Sequence, residues 1–231
     1  MAHILILAAL PEEADALFPD AGTREDGIFA VRRLAAHGHA LTVATCGLGK
    51  VHAALAAGML GTDADLLLMS GTCGALDAEA GRAYWLAEAV QHDYGTVRPD
   101  RFDRYRAGDW PVGEVGEAHF CAMADPGTGL PHARIASGDS FIACPDVAAG
   151  LVRGLGATLV DMEVAAVAQA AMRLGKPWAA IKAVTDTADE GSSRDFHANL
   201  VRAARSAAQA VERLVAMPGF GNFVAPQQQI R

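Results

Sequence analysis

Apolar and polar positions along the chain fall into short blocks whose character switches repeatedly. His3 to Ala9 is an apolar run rich in Leu and Ile and reads as a strand; Pro11 then opens an acidic helix start, Glu12-Glu13-Ala14-Asp15-Ala16-Leu17. Proline in the first turn, with carboxylates beside it, suits the positive end of a helix. Ile28 to Leu34 and Ala40 to Thr45 read as two strands around a Gly/His bend, and Val51 to Leu60 as an alanine-rich helix. Leu66 to Met69 is apolar throughout, as in a strand covered on both faces, and Gly71-Thr72-Cys73-Gly74 is read as its end. Strands follow at Tyr84–Val90, Ala133–Ala136, Thr158–Val160 and Trp178–Val184, with helices at Val164–Leu174 and Arg194–Ala216. Strands alternating with helices predict an α/β sheet with helices on both faces.

Residues 1–217 read as a single domain and 218–231 as a C-terminal tail without period. The stretch Gln91–Gly116 is charged and aromatic, and too long for an ordinary connection. It is a lid, an interface loop or a mobile segment.

Composition removes several function classes. The chain has 231 residues, 19 Lys and Arg against 27 Asp and Glu, and a net charge of −8. No basic run exists to track a phosphate backbone, so nucleic acid is not an expected partner. Hydrophobic residues make up 52%, which excludes a disordered chain. Ile4 to Leu10 is seven residues long, far short of the roughly 20 that cross a bilayer, so no membrane association is expected. Four scattered cysteines without a CxxC pair fit a reducing cytoplasm, and no HxH or HExxH spacing marks a metal site.

In open α/β sheets, ligands bind beyond the carboxyl ends of strands. Five predicted strands deliver hydroxyls or carboxylates there: Glu12 and Glu13, Thr72, Asp139 and Ser140, Asp161 and Glu163, Thr185 and Asp186. Individually each has two readings. Gly47-Leu48-Gly49-Lys50 is either a tight turn or a close backbone approach to a ligand; it fits neither GxxxxGK nor GxGxxG. Glu163, in an otherwise apolar stretch, is either a first-turn helix acid or a ligand-binding group. Thr185-Asp186-Thr187 is either an Asx-type turn or part of a site.

Taken in order, six segments form a recognisable set: Ala9-Leu10-Pro11-Glu12-Glu13, Gly47-Leu48-Gly49-Lys50-Val51, Gly71-Thr72-Cys73-Gly74, Ser137-Gly138-Asp139-Ser140-Phe141-Ile142, Val160-Asp161-Met162-Glu163 and Lys182-Ala183-Val184-Thr185-Asp186. The set resembles the nucleoside phosphorylase superfamily, specifically the 5′-methylthioadenosine/S-adenosylhomocysteine nucleosidases. The resemblance implies a three-layer α/β/α fold around a mixed, partly barrel-like sheet, a homodimer, and no cofactor or metal. It implies that Glu13 orients and deprotonates the attacking water and that Asp186 protonates purine N7. Glu163 would bind the ribose hydroxyls with Met162 packed on the sugar. Phe141 would stack on adenine, Ile142 would offer main-chain groups to its edge, and Thr72 would stand near the nucleophile. Lys182, also placed among the substrate-binding positions, stands where bacterial members usually have Arg. The Lys-Ala-Val-Thr-Asp form is similar to plant-type members, which can favour the small 5′-methylthio substrate. In family dimers, aromatic residues of one subunit close the 5′ pocket of the other, and Phe102, Tyr105 and Trp110 are the candidates here.

The expected reaction is hydrolysis of the N-glycosidic bond of 5′-methylthioadenosine, with S-adenosylhomocysteine as a candidate second substrate, to adenine and the thioribose. The rivals are a phosphate-dependent phosphorylase, a non-catalytic nucleoside-binding protein, and a hydrolase of another purine nucleoside such as a futalosine-like one. Phosphorolysis needs cations at the nucleophile site, where this chain has Glu12-Glu13.

Overall fold

The computed structural model describes residues 1–19, 21–114 and 119–224. The strands in chain order are β1 (His3–Ala8), β2 (Thr23–Asp26), β3 (Ala30–Ala36), β4 (His39–Thr45), β5 (Leu66–Ala75), β6 (Ala83–Gln91), β7 (Gly95–Val97), β8 (Phe102–Arg104), β9 (His119–Cys121), β10 (His132–Ser137), β11 (Leu159–Asp161) and β12 (Trp178–Asp186). The helices are α1 (Pro11–Ala16), α2 (Lys50–Leu60), α3 (Pro145–Leu155), α4 (Val164–Leu174), α5 (Ser192–Val215) and α6 (Phe220–Val224).

One mixed sheet runs in the order β11-β10-β6-β12-β5-β1-β4-β3-β2, with β9 beside β6. Because β11 also pairs with β5, the five strands β5, β12, β6, β10 and β11 close on themselves. The arms of the closure mix directions: β12 is parallel to β5 and antiparallel to β6, while β10 is parallel to both β6 and β11. The expected partly barrel-like sheet is present.

Alternation along β1 builds the layers. Leu5 and Leu7 face one apolar cluster with Leu67, Met69 and the inner faces of α2 and α4, including Ala53, Ala57, Val164 and Ala168. Ile4 and Ile6 face a second cluster with Leu66, Leu68 and Ala207, Val211 and Leu214 of α5. Successive side chains of a strand point to opposite faces, so each such strand supplies both cores. Full burial of each large aliphatic side chain is worth about 1.5–3 kcal/mol.

Four stretches depart from the sequence pattern. The strand expected to stop at Met69 continues through Gly71-Thr72-Cys73-Gly74 to Ala75, paired with β12 along that stretch. Its glycines serve a close approach rather than a turn. Helix α3 was hidden by Gly150 and Gly154; Pro145 at its start and left-handed Gly156 (φ 60°) at its end bound it. Within Gln91–Gly116, residues 95–104 contain the hairpin β7–β8, while 115 and 116 lie outside the described residues. Of the expected tail, residues 220–224 form α6, with Phe220 and Val224 buried in the α5 core and Phe220 edge-on to His39. Residues 225–231 lie outside the described residues.

Candidate active site

Glu13 is the third residue of α1, and its position follows from the local sequence. Pro11 fixes the first helical residue, and the Glu13 side chain folds back to accept the N–H groups of Ala9 (3.0 Å) and Leu10 (3.1 Å) through Oε2. Oε1 reaches across to β5 and accepts both the Thr72 N–H (2.7 Å) and the Thr72 hydroxyl (2.8 Å). A carboxylate has about four lone-pair positions. Three here are taken by main-chain donors and one by a rotatable hydroxyl, so the Thr72 hydroxyl is the partner that can turn away to admit a water.

Glu163 is the residue before α4, but its side chain does not cap the helix. Asp161 Oδ2 accepts the Val164 N–H (3.1 Å), and the Ser137 hydroxyl accepts the Ala165 N–H (2.9 Å) while donating to Asp161 Oδ1 (2.5 Å). With the helix start satisfied by these neighbours, the Glu163 carboxylate turns the other way. It accepts the Gly49 N–H (3.0 Å), and its second oxygen lies 3.6 Å from the Lys182 ammonium. The first-turn reading of Glu163 is thereby excluded. Burial pushes its carboxyl up to about 7, with Lys182 opposing the rise.

Asp186 ends β12, with Oδ1 accepting the Ala188 N–H (3.1 Å) and Oδ2 accepting the Thr185 hydroxyl (2.8 Å). It makes the Asx-type turn and faces the cavity as well; the two readings are compatible. Burial raises its carboxyl above the usual range, and the hydrogen bonds from Thr185 and Ala188 oppose that rise.

These groups meet in one cavity of about 410 Å³, whose walls include Leu10, Leu48, Thr72, Phe141, Ile142, Met162 and Phe196. That volume suits a drug-sized or nucleoside-sized molecule. Glu13, Asp161, Glu163 and Asp186 all line it, and none of its lining residues is Lys or Arg. The register explains the meeting: Asp186 pairs with Gly74 on β5, two residues beyond the Thr72 that holds Glu13.

Of the eight site positions expected from sequence, Glu13, Thr72, Phe141, Ile142, Met162, Glu163 and Asp186 line the cavity, and Lys182 does not. Lys182 is fully buried beneath it, 3.2 Å from Asp161 Oδ2, with its ammonium held in the charged form. Its expected place among the substrate-binding positions gives way to an ion pair, because the strand points it at the two carboxylates. The sequence reading also missed Ser193, Phe196 and His197 in the first turns of α5. Phe196 meets Phe141 edge-on, ring centres 6.0 Å apart. The only signal was an aromatic residue in an otherwise polar helix start soon after Asp186. Phe102, Tyr105 and Trp110 do not line the chain's own cavity. Tyr105 is buried and donates its hydroxyl to the Gly113 carbonyl (2.8 Å), Phe102 lies under Arg104, and Trp110 faces outward, 79% exposed.

Among the described residues, Glu88, His119 and Cys121 bring possible metal-ligand atoms within 4.8 Å of one another, away from this cavity. No described helix is long and apolar enough to cross a membrane.

A sequence model of the Phosphorylase superfamily matches residues 3–216. The chain belongs to that superfamily. Among its relatives, a 5′-methylthioadenosine/S-adenosylhomocysteine nucleosidase of Mycobacterium bovis is 28% identical over 207 residues, covering 77% of this chain and 81% of its own. The nucleosidase of that name from Staphylococcus aureus is 28% identical over 189 residues, with 76% and 81% covered. Among solved structures, a Helicobacter pylori nucleosidase mutant with 5′-methylthioadenosine in its active site superposes with a TM-score of 0.78. It is 25% identical, with 93% of this chain and 98% of that chain covered. A futalosine hydrolase of the same organism superposes equally well, at 0.78 and 25% identity, over 93% and 97%.

Proposed function

We propose that the protein is a hydrolase that cleaves the N-glycosidic bond of 5′-methylthioadenosine, and of S-adenosylhomocysteine where the 5′ end of the cavity admits it. The similarity to named nucleosidases supports the reaction class, and one feature of this chain supports the choice of nucleophile. The cavity is lined by four carboxyl groups and by no Lys or Arg; the Lys182 ammonium offsets Asp161 and Glu163 from beneath, so Glu13, at the nucleophile position, carries the repulsion. Phosphate would enter such a site against repulsion, whereas water enters freely. A cation-like ribose in the transition state is stabilised by the same negative field.

The roles follow from position. Asp186, its carboxyl raised above the usual range by burial, donates the proton to purine N7 as the base leaves with the bonding electrons. Glu13, gripped by main-chain donors, holds and deprotonates a water that shares the Thr72 position. Glu163 accepts the ribose hydroxyls, Met162 packs on the sugar, Phe141 stacks on the base with Phe196 behind it, and Ile142 faces its edge. Acid–base groups of this kind contribute typically ~10²–10⁴-fold each.

A homodimer in the cytoplasm completes the reading. Leu48, Val51, Leu55 and Met59 expose a stripe at helical spacing on and before α2, and Leu48 also lines the cavity. A second copy seated on that stripe would lie at the cavity mouth, and the outward Trp110 is the aromatic residue we assign to closing it. Light scattering at micromolar concentration reads the oligomeric state directly.

The function is tested by release of the purine base, adenine from both thio-nucleosides and hypoxanthine from futalosine, with and without phosphate. Release of adenine from 5′-methylthioadenosine at equal rates in both conditions is the expected result. A requirement for phosphate would make the enzyme a phosphorylase; cleavage of futalosine alone would move the substrate.

A further inference from the structure

We propose that Asp93, just beyond the end of β6, is a positioning residue for the nucleoside cavity, acting through Lys50 to lock the turns after β4 and β10 to each other. This inference rests on the nucleosidase reading above. Neither Lys50 nor Asp93 lines the cavity.

The Lys50 ammonium is the hub. It donates to Asp93 Oδ1 (2.7 Å) and Oδ2 (2.6 Å) and lies 3.5 Å from Asp139 Oδ2. Main-chain donors close the ring: the Lys50 N–H donates to Asp139 Oδ1 (2.8 Å), and the Asp139 N–H donates to Asp93 Oδ2 (3.0 Å). Gln91 Nε2 adds a bond to Asp93 Oδ1 (3.2 Å). The network is graded in exposure: the Lys50 side chain is 17% exposed, that of Asp93 29% and that of Asp139 47%. Partly buried charge networks with main-chain partners hold geometry more firmly than lone surface pairs.

Two backbone features show how tightly the three segments are pressed together. Gly138 lies so close to the His92 ring that a Cβ there would stand 2.3 Å from Nε2. Gly49 is left-handed at φ 91°, and a Cβ there would stand 3.1 Å from Asp139 Oδ1.

The ring matters because of what its two turns present. The Gly49 N–H, one residue before Lys50, donates to Glu163, and Leu48 lines the cavity. Asp139 is followed by Ser140, Phe141 and Ile142, all on the cavity wall. Asp93 and Lys50 thus hold the ribose-facing and base-facing walls in place before substrate arrives. Glu13 and Asp186 stand on α1 and β12, and none of the ring's bonds given above ends on either element. Loosening the ring therefore loads the cost on binding rather than on the proton transfers.

The test compares Asp93→Asn, Lys50→Met and Lys50→Arg. The first two should raise KM for 5′-methylthioadenosine about tenfold, the scale of ordering one or two side chains on binding, while kcat stays within about threefold. Lys50→Arg, which keeps the cation, should recover most of the loss. Calorimetric Kd for a C-nucleoside analogue, whose carbon–carbon link to the base cannot be hydrolysed, should rise in parallel with KM. Unchanged KM and Kd in Asp93→Asn and Lys50→Met would overturn the proposal, as would kcat falling as far as KM rises, or Lys50→Arg no better than Lys50→Met. If the wild type binds the analogue but releases no adenine, the nucleosidase reading fails, and the Kd series alone still decides the role of Asp93. Melting curves establish that each variant is folded; should Asp93→Asn not fold, the two Lys50 variants decide.

Discussion

Gly71 lies directly against the Glu13 carboxylate: a Cβ at Gly71 would stand 2.6 Å from its carboxyl carbon and from Oε1. The backbone there has φ 153°, and nothing larger than hydrogen leaves room for the carboxylate to reach Thr72. The approach explains why β5 runs through a glycine in the middle of a fully buried strand. Gly71→Ala should displace Glu13 and lower kcat/KM for adenine release about 100-fold, the scale of a 1 Å misplacement. Activity assays alongside circular dichroism check it; full activity would show that Glu13 does not need this seat.

Asp186→Asn removes the transferable proton and keeps the side-chain shape. The expected result is a fall in kcat of roughly 10²–10⁴-fold. Affinity for the unreactive analogue should stay near wild type, read by calorimetry. Unchanged turnover would reject Asp186 as the acid. The pH profile carries a related expectation: activity declines on the alkaline side as Asp186, raised by burial, loses its proton.

Glu163 makes stability depend on pH. Its carboxyl rises on folding from 4.5 to about 7, so the folded chain holds a proton that the unfolded chain releases between those values. Its stabilising contribution is therefore complete below about 4.5 and is lost as pH rises toward 7. Lys182 remains charged throughout that window, since its own value is raised further above 10.5. The melting temperature of wild type minus that of Glu163→Gln should fall from pH 4.5 to 7 and level off above. A flat difference would place the titration elsewhere.

Lys182→Met leaves Asp161 and Glu163 buried without their cation. Removing one partner of a buried ion pair costs about 3–5 kcal/mol, so denaturant unfolding should shift by that amount at pH 8. A variant as stable as wild type would mean that water or protonation replaces the ammonium.

The positions of Glu13 and Asp186 were legible in the sequence because each sits where an apolar run ends, and strand ends collect at one rim. Lys182 was misplaced because period alone says which residues share a face, not what lies beneath that face. Its partner carboxylates come from β11 and the residue before α4, brought beside β12 only by the closure of the sheet. Phe196 and His197 were missed for the same reason: α5 reaches the cavity through packing over β12 and β5, and no local pattern announces it.

The chain by itself determined the alternation of strands and helices, the placing of Glu13 and Asp186 at strand ends and the glycines around them, since these follow from local chemistry and from residue types that permit few conformations. Tertiary structure decided which neighbour each charge would have. Closing β11 onto β5 set Lys182 under the two carboxylates, and folding Asp93 against Lys50 joined turns 43 residues apart in sequence. Those relationships depend on through-space distance at low dielectric, a quantity that no window of consecutive residues contains.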